Sequence, residues 1–443
     1  MKSEHEAECD EHSCISRVES EMPLLPQKQH GMSLFIGPGL LIAVGYMDPG
    51  NWATDIESGS KYAYSLLFVI LLSNCMAMLL QHLTVRLAIH AEMDLAEATA
   101  KMCGKQKYLR WFLWFVCEIA IIAMDLSEVI GSAIAIQLLF GLALWQGVLI
   151  TGLDVLLILA GISSKRWRIF EVLVGCLVAG VFACFAAEMA IVGVDWMATL
   201  KGFIPTMVII EERRALFLCL GIIGATVMPH NLYLHSNLVK KKWLFFKNGQ
   251  KDERIAKKCV TFASWDSSIS LFFALFVNAA IMITAAAAFH KEGHEDVTSI
   301  KEAAVLLKNI VGNAAHFLFA IGLLMSGQSS TMTGTMAGQI VIEGFLNVCT
   351  AAWKRRLATR LAAIIPALII VIAWGDSAVD SMLLYSQVIL CFQLPFAVIP
   401  LVWAVGRKSF VGENGKMGLI LAVASWLVAL IIVALNIAFL AIN

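Results

Sequence analysis

Apolar runs of about 20 residues recur along nearly the whole chain, each long enough to cross a bilayer as a helix. Eleven spans are predicted, at about 34–58, 64–87, 112–138, 143–161, 169–190, 215–238, 262–288, 314–345, 359–374, 380–404 and 418–441. A membrane β-barrel would alternate apolar and polar residues in pieces of ~10, and these runs do not. The pattern therefore predicts an all-α polytopic membrane protein. One transmembrane unit is expected over residues 31–443, after a polar tail, residues 1–30, expected to be disordered and cytoplasmic.

Two spans are interrupted. Inside the first lies Gly45-Tyr46-Met47-Asp48-Pro49-Gly50-Asn51-Trp52, and inside the sixth Gly221-Ile222-Ile223-Gly224-Ala225-Thr226-Val227-Met228-Pro229-His230-Asn231. Proline removes a backbone donor and glycine weakens a helix, so both spans should break there. Backbone groups freed within a membrane are tolerated only against protein or a water-filled cavity. A pair of interrupted segments at corresponding places in two halves points to a transporter's binding site.

Charge sets the orientation. With a cytoplasmic N-terminus the inner loops hold 22 Lys and Arg residues and the outer loops 7. The opposite orientation would invert this bias, so the positive-inside rule places the N-terminus inside. An odd span count then puts the C-terminus outside. The two broken spans, five apart, run in opposite directions, as in an inverted repeat of five plus five helices with an eleventh added.

Composition agrees. The 443 residues are 59% hydrophobic and 15% charged, against roughly 25% charged in a soluble domain. Net charge is zero, so bulk charge implies no nucleic-acid partner. The 11 cysteines are scattered, several of them inside apolar runs (Cys75, Cys117, Cys176, Cys184, Cys219, Cys391), and read as small buried hydrophobes rather than a disulfide framework. Residues 1–30 are polar and acidic, so no cleavable signal peptide is expected. His5, Cys9, His12 and Cys14 in that tail match no closed zinc spacing.

The breaks carry the candidate chemistry. Asp48 offers a carboxylate and Asn51 an amide carbonyl three residues on; Ala225 offers a backbone carbonyl in the sixth span. Met228 adds a soft thioether, which favours transition metals over Mg²⁺ and Ca²⁺. In span three Glu118, Asp125 and Glu128 fall on one helical stripe. Three carboxylates on one face inside a membrane suggest a proton or water path, with pairing to arginine as the structural alternative. Asp48 itself offers coupling, since it binds either a proton or a metal. His230 and His235 lie 140° apart around a helix, which disfavours a two-histidine zinc site. His230 is expected to tune or gate the site, or to be a hydrogen-bonded packing residue, and His235 to be structural or a minor part of proton release. Glu57, Asp154, Glu171, Glu188 and Asp266 lie in or near spans without an assigned role. The patch Gly327-Gln328-Ser329-Ser330-Thr331 reads first as close helix packing.

The run Asp48-Pro49-Gly50-Asn51-Trp52, with Met228-Pro229-His230-Asn231-Leu232-Tyr233-Leu234-His235-Ser236, resembles the Nramp family of divalent metal transporters. Gln81-His82-Leu83 with Arg86-Leu87, Asp125-Leu126-Ser127-Glu128-Val129-Ile130-Gly131, Gly327 to Thr331, and Gln393-Leu394-Pro395-Phe396 also match, and the likeness covers about residues 33–440. It implies a LeuT-like fold and proton-linked import of Mn²⁺ or Fe²⁺. By the same resemblance Asp48, Asn51, Ala225 and Met228 hold the metal, and Gln387 in span ten approaches it when occluded. The resemblance also implies that Asp125 and Glu128 form the proton path, with Arg355 and Arg356 as their charge partners. Two departures stand out: Met124 where a threonine is usual, and Lys101-Met102-Cys103-Gly104-Lys105-Gln106 in place of an Arg-Asp-x-Tyr-Pro-like run. A divergent magnesium-transporting branch lacks the methionine that stands here as Met228.

A proton-coupled importer, Mn²⁺ favoured and Fe²⁺ next, is thus expected, with metal and protons as substrates and no cofactor. Neither an enzyme nor an obligate protein partner is expected. The alternatives are a sodium-coupled organic-solute transporter on the same fold, whose substrate carboxylate Asp48 would repel, or an Nramp-related Mg²⁺ transporter. An intramembrane metalloenzyme is disfavoured, since neither His-Glu-x-x-His nor Gly-x-Ser-x-Gly occurs. Compact length and a short tail suggest a bacterial inner membrane.

Overall fold

The computed structural model describes residues 35, 37–161, 179–180, 182–183, 185–247, 252–310, 312–347 and 352–442, leaving aside the side chains of residues 44, 153–161, 332, 352–356, 376–377 and 442. The expected tail (1–30) and most of expected span five (169–190) lie outside the described residues.

The described elements are helical throughout. They are α1 (Pro38–Gly45), α2 (Pro49–Tyr62), α3 (Leu67–Arg86), α4 (Leu95–Cys103), α5 (Lys107–Phe140), α6 (Leu144–Gly161), α7 (Trp196–Gly202), α8 (Val208–Glu211) and α9 (Arg213–Val227). After these come α10 (Pro229–Lys247), α11 (Glu253–Ala288), α12 (Ile300–Ile310), α13 (Asn313–Leu346), α14 (Ala352–Trp374), α15 (Asp376–Gly406), α16 (Lys408–Gly415) and α17 (Leu419–Ile442). Seven continuous segments among the described residues are long and apolar enough to cross a membrane. The first expected span is divided into α1 and α2, of 8 and 14 residues, because it breaks where Pro49 stands. Expected spans four and eight appear as α6 and α13, of 18 and 34 residues.

Several helices run past the apolar runs that announced them. Expected span seven, at 262–288, begins at Glu253, and expected span nine, at 359–374, begins at Ala352. Arg360, at the very start of the expected span, therefore lies two turns inside α14 and is buried. The short connectors α4, α7, α8, α12 and α16 were not anticipated, because amphipathic or brief helices leave no long apolar run. In α12 the buried positions Ile300, Ala303, Ala304 and Leu307 recur at the spacing of one helical face, so it lies along the bundle surface.

A single large apolar cluster joins both halves, from Ile42 and Trp52 through Tyr233 and Leu271 to Leu401 and Ile432. The largest helix–helix interface is α5 with α13. It is tight because a Cβ on Gly327 would meet Ser132 Oγ at 2.2 Å. Hydroxyls of Ser329, Thr331 and Thr335 bond back to carbonyls one turn earlier, at 2.8 Å each, so this patch does pack helices. Among the predicted buried cysteines, Cys117, Cys219 and Cys391 are buried; Cys75 is exposed, on the outward side of α3.

Candidate functional site

Both breaks follow from the missing N–H of a proline. At the first, Pro49 opens α2 at a position where that N–H has no helical partner anyway. Asp48 is extended (φ −62°, ψ 160°) and caps α2, its Oδ1 accepting from Asn51 N at 3.0 Å. The turn exposes two carbonyls that side chains from distant segments satisfy. Asn278 Nδ2 of α11 donates to Tyr46 O at 3.0 Å. Trp52 Nε1 donates to Met47 O at 3.0 Å, and Ser326 Oγ of α13 donates to the same oxygen.

At the second break, Pro229 opens α10. In a continuous helix the residue-229 N–H would bond the carbonyl four residues earlier, which is Ala225. Ala225 was expected in unwound backbone; it sits instead in the last turn of α9, and the proline alone frees its oxygen. Met228, the residue at the break, takes φ 41° and ψ 95°. A positive φ on a non-glycine costs on the order of 1–3 kcal/mol and persists only where surroundings enforce it. Its sulfur faces Asn231 Nδ2 at 3.2 Å, and the residue is fully buried.

The breaks meet through Asn51. Its Nδ2 donates to Asp48 Oδ1 at 2.6 Å and to Ala225 O at 3.0 Å, spanning 174 residues of sequence. Gln387 of α15 closes the third side, Nε2 reaching Asp48 Oδ2 at 3.4 Å and Ser127 Oγ of α5 at 3.2 Å. Two glycines admit α15. A Cβ on Gly50 would lie 1.7 Å from Gln387 Nε2, and one on Gly224 would lie 2.0 Å from the Gln387 carbonyl oxygen. Asp48, Asn51, Ala225 and Gln387 therefore form one bonded network, and Met228 sits one turn from Ala225 at its edge. The set is one carboxylate, two amides, a carbonyl and a thioether. Among the described residues no group of three or more His, Cys, Asp or Glu side chains is arranged to hold a metal.

Ser127 links this network to the acidic stripe of α5. Asp125 and Glu128 are both buried and face Gly334 of α13, where a Cβ would stand 3.1 Å from Asp125 Oδ1 and 3.6 Å from Glu128 Oε1. Glu128 feels the charges of Asp125, Arg360 and Asp48. Arg360, buried in α14, donates to Thr331 Oγ1 at 3.3 Å. The structure thus brings Arg360 to this stripe, a residue the sequence reading gave no role; the side chains of Arg355 and Arg356 lie outside the described residues. Arg360 follows Arg356 by four residues, so a helical reading begun a turn earlier would have put both on one face. Glu118 is half-buried, roughly 10 Å of helix rise from Asp125.

The two histidines differ. His235 Nδ1 is bonded to Gln81 Oε1 at 2.6 Å and lies 2.9 Å from Thr84 Oγ1, the expected structural arrangement. His230 is buried, and neither ring nitrogen has a hydrogen-bond partner among the described residues. Sequence reasoning passed over Asp55, buried one helical face along from Asp48 with Oδ2 unbonded. Glu57 forms a two-bond ion pair with Arg214, at 2.5 and 2.8 Å. Asp266 accepts from Gly37 N and Gly39 N at the start of α1. Glu188 is buried, while Glu171 and the Asp154 side chain lie outside the described residues.

Two broken segments that meet through Asn51 inside a helical bundle mark an integral membrane transporter of LeuT-like fold. Residues 39–442 match the family described as natural resistance-associated macrophage protein-like. The chain belongs to this Nramp family. It is 48% identical over 406 residues to the divalent metal cation transporter MntH of Nostoc sp., covering 91% of this chain and 90% of that one. It superposes on the crystal structure of the Eremococcus coleocola manganese transporter, bound to an aromatic bis-isothiourea compound, with a TM-score of 0.81 at 36% identity. That match covers 94% of this chain and 88% of the other. Mhp1, a nucleobase–cation symporter, shares the fold alone: TM-score 0.57, 14% identity, 92% and 91% covered.

Proposed function

We propose that the protein imports divalent transition-metal ions, Mn²⁺ before Fe²⁺, in symport with protons. The observation that carries this is the Asn51 amide nitrogen, held between Asp48 Oδ1 and Ala225 O. A polarised N–H₂ group bridging a carboxylate and a carbonyl stands where a cation would be held by those same two oxygens. When Asn51 turns its amide over, Oδ1 joins them as a third ligand, and Gln387 does the same through Oε1. Met228 then supplies the soft donor that distinguishes Mn²⁺ and Fe²⁺ from Mg²⁺ and Ca²⁺. The relatives, a divalent metal cation transporter and a manganese transporter, agree with this reading.

One carboxylate suits a transported ion. It neutralises half of a divalent charge, so release needs no cage to be dismantled. The proton reading rests on connectivity: Asp48 reaches Ser127 through Gln387, and Ser127 lies between Asp125 and Glu128 on α5. A proton leaving Asp48 as the metal arrives passes to Asp125 and Glu128, with Arg360 balancing their charge. His230, buried without a partner, is the second acceptor near the break. A potential of 100 mV drives each charge with about 2.3 kcal/mol, so a divalent ion with one proton gains roughly 7 kcal/mol moving inward. The N-terminus and the basic loops face the cytoplasm and the C-terminus lies outside. Residues 31–443 act as one transport unit.

The test is uptake by reconstituted vesicles loaded with a pH dye, for wild type and Met228→Ala, with Mg²⁺ and Ca²⁺ as competitors. Wild type takes up Mn²⁺ with internal acidification, and the variant loses discrimination against Mg²⁺ and Ca²⁺. Absence of Mn²⁺ uptake by wild type overturns the substrate, and a variant as selective as wild type overturns the role of Met228.

A further inference from the structure

Away from the breaks, a cavity of about 480 Å³ opens between the C-terminal end of α3 and the N-terminal part of α11. At the end of α3 and in the helical turn that follows it, Leu87–Ala91, it is lined by His82, Arg86 and His90, spaced four residues apart along the side that is not fully buried. On α11 the facing residues are Lys257, Thr261 and Ser264, again a helical stripe. Two helices that pack closely elsewhere here hold polar faces apart. They touch at the inner end, where His82 Nδ1 lies 2.8 Å from Ser264 Oγ. Arg86 forms the floor. Its Nε and Nη2 donate to the carbonyls of Gly415 and Lys416 at 2.9 to 3.3 Å, which fixes the guanidinium and leaves Nη1 for another acceptor.

The cavity is cationic. Arg86 and Lys257 are charged, and His82 and His90 are donors in either protonation state. Glu253, 3.6 Å from Lys257, is the one carboxylate that acts on this cluster among the described residues. A fixed guanidinium, an ammonium and two imidazoles around one space, with the Ser264 hydroxyl shared with His82, match the oxygens of a phosphoryl group. The rim says which kind. Trp265 lines the cavity edge and is 64% exposed, and the outward face of α11 continues apolar through Phe262, Ile269, Phe272 and Phe273. Tryptophan beside a basic pocket at the end of a membrane helix is an interfacial arrangement, with acyl-chain surface beyond it. The basic C-terminal end of α10 lies at this end of the bundle, where Lys247 pairs with Glu92, so with the orientation proposed above the cavity opens on the cytoplasmic leaflet.

We propose that this cavity binds an anionic phosphoryl group, and that an acidic phospholipid headgroup presents it, with acyl chains along the outer face of α11. None of these residues belongs to the metal or proton network, so the inference stands or falls apart from that reading.

The test is native mass spectrometry of the full-length protein in detergent. The probes are phosphatidylglycerol, phosphatidylcholine with the same chains, and inorganic phosphate, for wild type, Lys257→Gln, His90→Gln and Arg86→Gln. Wild type should retain one phosphatidylglycerol in preference to phosphatidylcholine. Lys257→Gln, on an exposed side chain that no fold contact needs, should weaken retention about fivefold. Arg86→Gln should weaken it more, and if that variant fails to fold the other two carry the test. Retention that survives millimolar phosphate assigns the site to a lipid headgroup; displacement by phosphate assigns it to free phosphate. Equal retention of the two lipids together with no phosphate adduct, or unchanged retention in both Lys257→Gln and His90→Gln, overturns the proposal.

Discussion

Pro229→Ala separates the fold of the second break from its use. The substitution restores an N–H four residues beyond Ala225, whose oxygen now accepts from Asn51 at 3.0 Å. One backbone hydrogen bond adds a net ~0.5–1.5 kcal/mol. Relief of Met228, held at φ 41°, adds ~1–3 kcal/mol if the helix closes. Against this stands a looser unfolded chain, worth ~0.4–1 kcal/mol. Alanine at the first helical position costs α10 little. The metal-free protein should therefore melt higher, by the equivalent of about 1–3 kcal/mol. The metal should bind worse, because a carbonyl committed to the backbone is lost as a ligand. A hydrogen bond to a charged group is worth ~1.5–3 kcal/mol, and a comparable ligand loss weakens binding roughly ten- to hundredfold. Titration calorimetry with Mn²⁺ and thermal melting without it measure the two effects on one preparation. A higher melting temperature with affinity within threefold of wild type would show that Ala225 O is no ligand. A lower melting temperature with unchanged affinity would show that packing, not the proline, keeps the helix open.

Two further perturbations test neighbouring parts. Gly50→Ala places a Cβ 1.7 Å from Gln387 Nε2, so the amide must leave both Asp48 and Ser127. The clash runs along the Gln387 side chain from Nε2 to Cγ and meets no backbone, so with that side chain displaced the protein should fold with a loss on the order of 1–3 kcal/mol but take up little Mn²⁺. Uptake at the wild-type rate would refute a role for Gln387. Asp94→Ala cuts the tie between α4 and α10, where Asp94 caps α4 and accepts from Asn237 and Lys240 at 2.9 Å each. Burial alone would raise the Asp94 carboxyl, but the Lys240 ammonium and the Glu97 and Asn237 hydrogen bonds outweigh it and hold it below its usual range. A depressed carboxyl stabilises the fold above the unfolded value, ~3.9, and loses that contribution as pH falls through the folded one. The variant should lose about 2–4 kcal/mol at neutral pH, and its melting curve should converge on wild type in acid. A constant difference down to acid pH would refute the charged role.

What could be read without coordinates was what acts locally. A proline removes a hydrogen bond four residues back whatever the fold, so Asp48-Pro49 and Met228-Pro229 announce breaks from sequence alone. Asp48, Asn51 and Met228 could then be nominated because they stand at the breaks. Relations across the chain could not be read this way. Nothing in the sequence joins Asn278 to Tyr46 O or Ser326 to Met47 O, contacts spanning 232 and 279 residues. Arg360 escaped for a different reason. Hydropathy starts the ninth span at 359, so Arg360 read as a boundary residue, whereas α14 starts at Ala352 and carries it two turns inward. The same blindness hid the short connectors, since α12 buries one face and shows the other to solvent.

The long-range contacts also explain why a binding site sits at a broken helix and not beside an intact one. Each break releases carbonyls whose desolvation would be costly if left bare. The protein satisfies Tyr46 O and Met47 O permanently, with side chains from α11, α13 and the Trp52 indole. Ala225 O is treated differently. Its partner is Asn51, an amide that also holds Asp48 and whose own oxygen is met only at 3.4 Å by Asn278. At the proposed site a single side-chain rotation would hand two oxygens to an incoming ion and add a third, with no backbone bond broken. The breaks thus divide their freed groups into those bonded for stability and those bonded exchangeably. The exchangeable set is the one that lies beside the residue with strained backbone, Met228.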